Sequence, residues 1–239
     1  MAGTNKAVVL CSGGLDSTTV LYFAIDQGFD VYPVSFNYRQ RHVVELTFVK
    51  QTLEKLGLAS RWAVFNLDFS QVKASALTDM AISVPESRSP DEMGAAIPVT
   101  YVPLRNTIFL SYAAAYAEAN DISDIFIGVN VLDYSGYPDC RPAYIKAMEE
   151  TISLGSKYVD DPDRRRFTIH TPLIDKTKKE IIALGRNLGV DYALTWSCYN
   201  PRVEGGRIEP CGTCDSCILR QKGFDELAAE TGTSEADEA

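Results

Sequence analysis

Strand and helix signals alternate along this chain from residue 7 to residue 189, and no other feature limits its fold as tightly. Ala7–Cys11 is a short apolar run ending at Gly13-Gly14, which reads as a buried strand and a tight turn. Leu15, Val20, Leu21 and Ala24 then share one face of a helix over Asp16–Gln27, stopped by Gly28. Val31–Phe36 reads as a second strand. His42–Leu56 reads as a second helix, with Val44, Phe48, Leu53 and Leu56 facing in and Gly57 as its stop. Arg61–Asn66 is a third strand. Helix, strand, helix and strand follow over Asn106–Glu118, Ile125–Gly128, Ala143–Leu154 and Phe167–Thr171. Thr177-x-x-Glu180 is a capping box that opens a last helix through Leu188, ahead of Gly189. Strands separated by helices need crossover connections. The expected fold is therefore α/β, a doubly wound and mostly parallel sheet covered on both faces. Ligands of such sheets bind beyond the carboxyl ends of the strands. Residues 67–104 carry Pro85, Pro90, Pro98 and Pro103 and read as mostly irregular; a stretch of that length is functional or mobile.

Length and charge narrow the function classes. At 239 residues the chain suits one domain, or one with a small appendage. Its net charge of −9 argues against broad electrostatic binding of nucleic acid. No apolar run approaches the roughly 20 residues of a membrane span, and the apolar run at residues 7–10 is too short for a signal peptide. A cytoplasmic, reducing location is expected, with the six Cys as thiols or metal ligands rather than disulfides. Six of the acids lie in the last sixteen positions, so residues 225–239 read as an acidic, disordered tail.

The loop Ser12-Gly-Gly-Leu-Asp-Ser17 joins the first strand to the first helix. Two glycines let backbone N–H groups close on an anion, the helix N-terminus adds free donors, and Ser12, Ser17 and Thr18 add hydroxyls. On spacing alone an anion site and a plain tight turn are equally good readings. No Lys follows a Gly and no two Gly are spaced two apart, so the Walker-type loop and the dinucleotide fingerprint are both absent.

Four of the six Cys fall in one window: Cys198, Cys211, Cys214 and Cys217, spaced C-x12-C-x2-C-x2-C. Four thiolates around one tetrahedral Zn²⁺ is the leading reading. An iron–sulfur cluster is the competing one, although Gln221 stands where the ferredoxin-type run places its fourth Cys. All four positions being Cys implies a saturated structural site. Cys11 reads as a core residue that borders the loop. Cys140 reads as a packing residue in a polar loop, with a nucleophilic role as the alternative.

Polar loops follow the other strands. Tyr38-Arg-Gln-Arg-His42 and Val102-Pro-Leu-Arg-Asn106 bring cations to the sheet edge, where phosphates need neutralising. His42 suits a general acid/base or a helix N-terminus equally well. In the loop 128–142, Asp133 and Asp139 are acceptors for the N–H groups of a purine-type ring. Tyr134 and Tyr137 are stacking platforms, and Arg141 can pair with a carboxylate.

Ser12–Ser17 resembles the pyrophosphate loop of the N-type ATP pyrophosphatases, the PP-loop superfamily of adenine nucleotide alpha hydrolase-like fold. The chain as a whole resembles the QueC family, the 7-cyano-7-deazaguanine synthases of queuosine biosynthesis. Ser12–Thr19, Tyr38–His42, Val102–Asn106, Asp133–Arg141, Pro172–Glu180 and Ser197-Cys-Tyr199 with the trailing cysteines carry that resemblance. Two positions depart from it, since the family usually has Gly where Arg39 and Leu104 stand.

The resemblance implies a ligase that turns 7-carboxy-7-deazaguanine and ammonia into the nitrile at the expense of ATP, with Mg²⁺ and Zn²⁺ as cofactors. Residues 1–192 would form the nucleotide-binding domain and 193–224 a small zinc-bound extension with four cysteine ligands. Cys11, Ser12, Gly13, Gly14, Leu15, Asp16, Ser17, Thr18 and Thr19 would hold ATP. Asp16, Arg105 and His42 would act in catalysis, and Arg41, Asn106, Asp133, Tyr137, Asp139 and Arg141 would bind the deazapurine. Free ammonia is the expected nitrogen source, because position 2 is Ala and the chain has only two His. A homodimer without nucleic-acid or membrane partners is expected. The chief rival is a tRNA-modifying PP-loop thiolase with a Cys-ligated iron–sulfur cluster, and a non-catalytic nucleotide sensor is the second.

Overall fold

The computed structural model describes residues 5–94, 96–132 and 137–232. The chain runs through β1 (Lys6–Leu10), α1 (Leu15–Asp26), β2 (Asp30–Asn37), α2 (Glu45–Lys55), β3 (Ala63–Asn66) and the short α3 (Pro90–Gly94). It continues through α4 (Arg105–Ala119), β4 (Asp124–Phe126), α5 (Pro142–Leu154), β5 (Thr168–His170) and α6 (Lys178–Asn187). A hairpin of β6 (Arg202–Glu204) and β7 (Arg207–Glu209) precedes α7 (Asp215–Thr231). Five strands form one sheet in the order β3-β2-β1-β4-β5, and every pairing in it is parallel.

Period-two alternation in β1 explains why both faces are covered. Ala7 and Val9 join Val20, Leu21, Val49, Leu53, Ile181 and Ile182 in the core beneath α1, α2 and α6. Val8 and Leu10 join Leu110, Ala113, Ile145 and Met148 in the core beneath α4 and α5. The chain moves outward from β1 to β3, then crosses back to place β4 on the other side of β1. That reversal puts the topological switch point between β1 and β4, and a ligand crevice at their carboxyl ends. Among the described residues no helix is long and apolar enough to cross a membrane.

Two expectations need correction. The second helix starts at Glu45 rather than His42, because bonds from Glu45 N to His42 O (3.0 Å) and from Thr47 N to Val44 O (2.9 Å) wind residues 42–47 as tight turns first. Residues 67–104 are mostly irregular, as expected, with only the short α3 inside them, and Leu77, Ala76 and Val102 are fully buried. Arg41 fastens that segment, donating from Nε to Ala76 O (3.1 Å) and from Nη2 to Ile82 O (3.0 Å). The acidic tail does not begin at 225, since α7 runs on to Thr231. Phe224 and Leu227 pack into the core beneath α6, and Lys179 Nζ donates to Glu230 Oε2 at 2.6 Å.

The two departures from the family pattern share a backbone state. Arg39 has φ 61° and Leu104 has φ 53°, both left-handed. An L-residue there costs about 1–2 kcal/mol, a cost that the glycine expected from the resemblance would not carry. Leu104 is 59% exposed, so its side chain contributes little packing. Leu104→Gly is therefore expected to leave stability unchanged or raise it by up to about 1 kcal/mol, a melting shift of roughly 2–4 °C upward. A fall in melting temperature would contradict this reading of the loop.

Candidate active site

The glycine loop is built for close approach. Gly13 has φ +82°, and a Cβ there would lie 2.4 Å from the backbone oxygen of Glu45. Only glycine lets the loop sit against α2 in that conformation. Hydroxyls fix the loop's other side: Ser12 N donates to Ser17 Oγ (3.1 Å), and Ser17 Oγ donates to Gly14 O (3.2 Å). Gly14 caps α1 without a side-chain hydrogen bond, which leaves the first-turn N–H groups for a ligand. Across the switch point, a Cβ on Gly128 would lie 3.1 Å from Ser17 N, so glycine is what brings the end of β4 against the start of α1.

A cavity opens at this edge and runs from the loop into an aromatic end. Cys11, Ser12, Gly14, Leu15, Asp16 and Ser17 line the loop end. Two cations that sequence reasoning missed stand there. Lys178 Nζ donates to both carboxylate oxygens of Asp16, at 2.7 and 2.9 Å. Arg220 reaches the same cavity from α7. Lys178 had a signal: the capping box places it at the first position of a helix that opens just after β5, on the ligand edge of the sheet. Arg220 had none, because nothing in the sequence showed that α7 folds back to the loop.

His42, Glu45, Arg105, Tyr38, Tyr137 and Tyr199 line the other end, with Phe36 and Phe109. Burial pushes the His42 imidazole down to about 3, with Arg105 adding to the shift. Burial also pushes the Glu45 carboxyl up to about 8. At neutral pH His42 is therefore an uncharged ring and Glu45 is largely protonated. His42 Nε2 lies 3.5 Å from Glu45 Oε2, and its buried Nδ1 has no partner. Burial raises the phenols of Tyr38, to about 12, and of Tyr199, so both stay neutral. Burial opposes the charge on Arg105, yet the nearby phenols and Asp139 outweigh it and hold its pKa above the ordinary arginine value. Among the described residues no carboxylate lies within ion-pair distance of Arg105, although Asp139 is near enough to favour its charge, so the cation lines the cavity without a direct partner. A carboxylate or phosphate entering here would meet its counter-charge.

Several expected site residues stand elsewhere. Arg41 is turned to the carbonyls of the 76–82 segment and does not line the cavity. Asp139 accepts from the N–H of Asn106 at 3.0 Å and is 4% exposed, so it caps α4 instead of facing a ligand. Asn106 does line the cavity, while its Nδ2 donates to Asp139 O at 3.1 Å. Arg141 is exposed ahead of α5, and Arg39 is exposed too; neither lines the cavity. Thr18 and Thr19 are buried and do not line the cavity, and Thr19 Oγ1 donates to Leu15 O and meets Tyr192 Oη at 2.8 Å. Tyr137 is buried and lines the cavity, with its Oη 2.9 Å from Thr100 Oγ1. Asp133 and Tyr134 lie outside the described residues. Cys140 lines the cavity, but burial pushes its thiol up to about 12, which suits a packing residue rather than a nucleophile.

The four clustered cysteines meet as a group. Their sulfurs all lie within 4.8 Å of one another, and Cys211 Sγ is 4.0 Å from Cys217 Sγ. Four sulfurs about 2.3 Å from one tetrahedral ion would be spaced about 3.8 Å apart, so a single ion fits. An iron–sulfur cubane holds its cysteines outside its corners and needs a wider set. Backbone N–H groups of Asn200 and Cys211 donate to Cys198 Sγ at 3.3 and 3.2 Å, as a thiolate site requires. The cluster packs with Trp196, and Trp196, Ser197, Tyr199, Ser216 and Leu219 around it line the cavity. The cysteine extension is thus one wall of the site.

The family model described as "Queuosine biosynthesis protein QueC" matches residues 6–228, which takes in every element of this site. The chain belongs to the QueC family. Curated QueC-type relatives agree over nearly their full length. The protein named "7-cyano-7-deazaguanine synthase" from Desulfatibacillum aliphaticivorans is 54% identical over 221 residues, covering 92% of this chain and 92% of that one. The relative of the same name from Rhodopirellula baltica is 52% identical, covering 92% of this chain and 88% of that one. The one from Saccharophagus degradans is 50% identical over 232 residues, covering 97% and 98%. Solved structures are far more distant: the NH3-dependent NAD synthetase from Campylobacter jejuni has a TM-score of 0.43 at 14% identity, covering 98% of this chain and 81% of that one. Membership in QueC therefore rests on the sequence relatives.

Proposed function

We propose that this enzyme converts 7-carboxy-7-deazaguanine and ammonia to 7-cyano-7-deazaguanine with ATP, in queuosine biosynthesis. The observation that carries the reading is the cavity's polarity in a QueC chain. The anion loop and Arg105 line one cavity, and among the described residues no carboxylate forms an ion pair with Arg105 beside the aromatic rings of Tyr38, Phe109 and Tyr137.

The chemistry needs two activations. A carboxylate does not expel oxide, so its oxygen first attacks the α-phosphorus of ATP and pyrophosphate leaves. Ammonia displaces AMP from the acyl-adenylate to give the amide. The amide oxygen attacks a second ATP, and loss of AMP with a proton leaves the nitrile. The loop Ser12–Ser17 holds the departing pyrophosphate through backbone N–H groups. Arg105 receives the substrate carboxylate and orients its oxygen. His42, uncharged at neutral pH, is assigned a hydrogen-bonding role, since burial makes its ring a weak base. The rings of Tyr38, Phe109 and Tyr137 suit a flat heterocycle. Mg²⁺, when bound, neutralises pyrophosphate charge, and Asp16 is the residue assigned to hold it or to order the loop. The four cysteines hold Zn²⁺ as a structural ion. Residues 1–192 are the nucleotide-binding body and 193–224 the metal-bound wall. The protein acts in the cytoplasm as a homodimer and uses free ammonia.

The test is direct. Purified protein with ATP, Mg²⁺, ammonium and the acid is expected to yield amide and then nitrile by mass spectrometry, with glutamine unable to replace ammonium. Formation of neither product would overturn the proposal.

A further inference from the structure

Arg220 lies on α7, three residues past Cys217, yet it lines the cavity beside the glycine loop. Its guanidinium is oriented by neutral oxygens. Nη2 donates to Tyr192 O (2.8 Å), and Nη1 donates to Thr195 Oγ1 (2.8 Å) and Ser197 Oγ (3.2 Å). Its side chain also lies over the Phe224 ring, 5.4 Å from the centroid. Among the described residues no carboxylate forms an ion pair with it. Burial pulls its pKa down from the ordinary arginine value, and the negative groups nearby, Asp16 among them, offset this only in part.

Its tethers lead to the anion loop. Trp196, between two of the residues that hold Arg220, donates its backbone N–H to Gly13 O at 2.8 Å. A Cβ on Gly14 would lie 3.5 Å from Trp196 O. The segment that fixes Arg220 is therefore the one seated on Gly13-Gly14. Lys178, the other cation at this end, is already paired with Asp16.

We infer that Arg220 is an anion-binding residue of the nucleotide site, contacting the phosphate chain of ATP and the pyrophosphate that leaves it. The inference rests on reading the loop end of the cavity as the ATP site. It gives the cysteine extension a second task. By fixing the start of α7, the metal centre carries a cation to the pyrophosphate side of the loop.

The full chain, with its metal retained, is the material for the test, and the probes are magnesium pyrophosphate and magnesium ATP measured by calorimetry. Arg220→Gln is expected to weaken both at least tenfold. Arg220→Lys keeps the charge but not the three-way tether, and is expected to bind within about threefold of the wild type. Unchanged pyrophosphate affinity in Arg220→Gln would overturn the inference. Equal losses in the Gln and Lys variants, with lowered melting temperature or metal content, would also overturn it and leave Arg220 a tether. If the wild type binds neither probe, the ATP reading itself fails. Binding by the wild type with no effect of Arg220→Gln sinks only the inference.

Discussion

Cys214→Ala is expected to disorder the cysteine-bearing wall between residues 197 and 217 and abolish nitrile formation. The metal's contribution is large: binding at a site of four thiolates supplies on the order of 10 kcal/mol or more of local folding energy. Arg88 pairs with the buried Asp215, Ser87 N donates to Thr213 O (2.7 Å) and α7 packs on α6, so other contacts also hold the segment, but its hairpin and its core depend on the ligands. β6 and β7 are three residues each and exposed throughout, and the small core around the cysteines includes the four ligands themselves. Cys214 also precedes α7 directly as its N-cap, so its loss loosens the first turns of the helix, which carry Ser216, Leu219 and Arg220 to the cavity, while the later turns stay packed on α6. Trp196 provides the readout, because its Nε1 donates to Cys198 O at 2.9 Å while the ring lines the cavity. Elemental analysis should give one metal ion per wild-type chain and a loss in the variant. The variant should also show altered tryptophan fluorescence and faster proteolysis between residues 197 and 214. A variant with full activity and an unchanged tryptophan signal would contradict a wall held by metal.

The second large effect lies in the glycine loop. Gly13→Ala should lower stability by about 3 kcal/mol and turnover by at least about a hundredfold. The left-handed backbone alone costs an alanine about 1–2 kcal/mol. The new Cβ would then sit 2.4 Å from the Glu45 backbone oxygen and 3.0 Å from Val49 Cγ2, so the loop or α2 must shift. A displacement near 1 Å in a phosphate cradle is enough for a rate loss of about a hundredfold. Thermal melting and steady-state kinetics in ATP would measure both. Wild-type kinetics in a folded Gly13→Ala protein would remove the loop from the mechanism.

These two sites were the most legible parts of the sequence, for physical reasons. Glycine pairs and cysteine spacing mark places where local geometry admits almost no other residue. The alternation of β1, α1, β2 and the later elements likewise pointed to the sheet, because a strand covered on both faces must be apolar throughout. Side-chain direction was less legible. Asp139 and Arg41 have the right types and the right sheet edge, yet one caps α4 and the other binds the 76–82 carbonyls. Which way such a side chain turns depends on unpaired backbone groups distant in sequence. α7 was illegible for the same reason: its residues carry little amphipathic pattern, and its position follows from the metal centre and from packing on α6. Arg39 and Leu104 are the reverse case. Their unusual chemistry was visible in the sequence, and the left-handed backbone explains it.

The central claim is that one cavity activates the same carbon twice, and oxygen labelling tests it most directly. With the carboxylate of 7-carboxy-7-deazaguanine labelled by ¹⁸O at both positions, purified enzyme, ATP, Mg²⁺ and ammonium should release two AMP per nitrile, each carrying one ¹⁸O. Unlabelled AMP, label in pyrophosphate, or a reaction that stops without a nitrile would contradict the account.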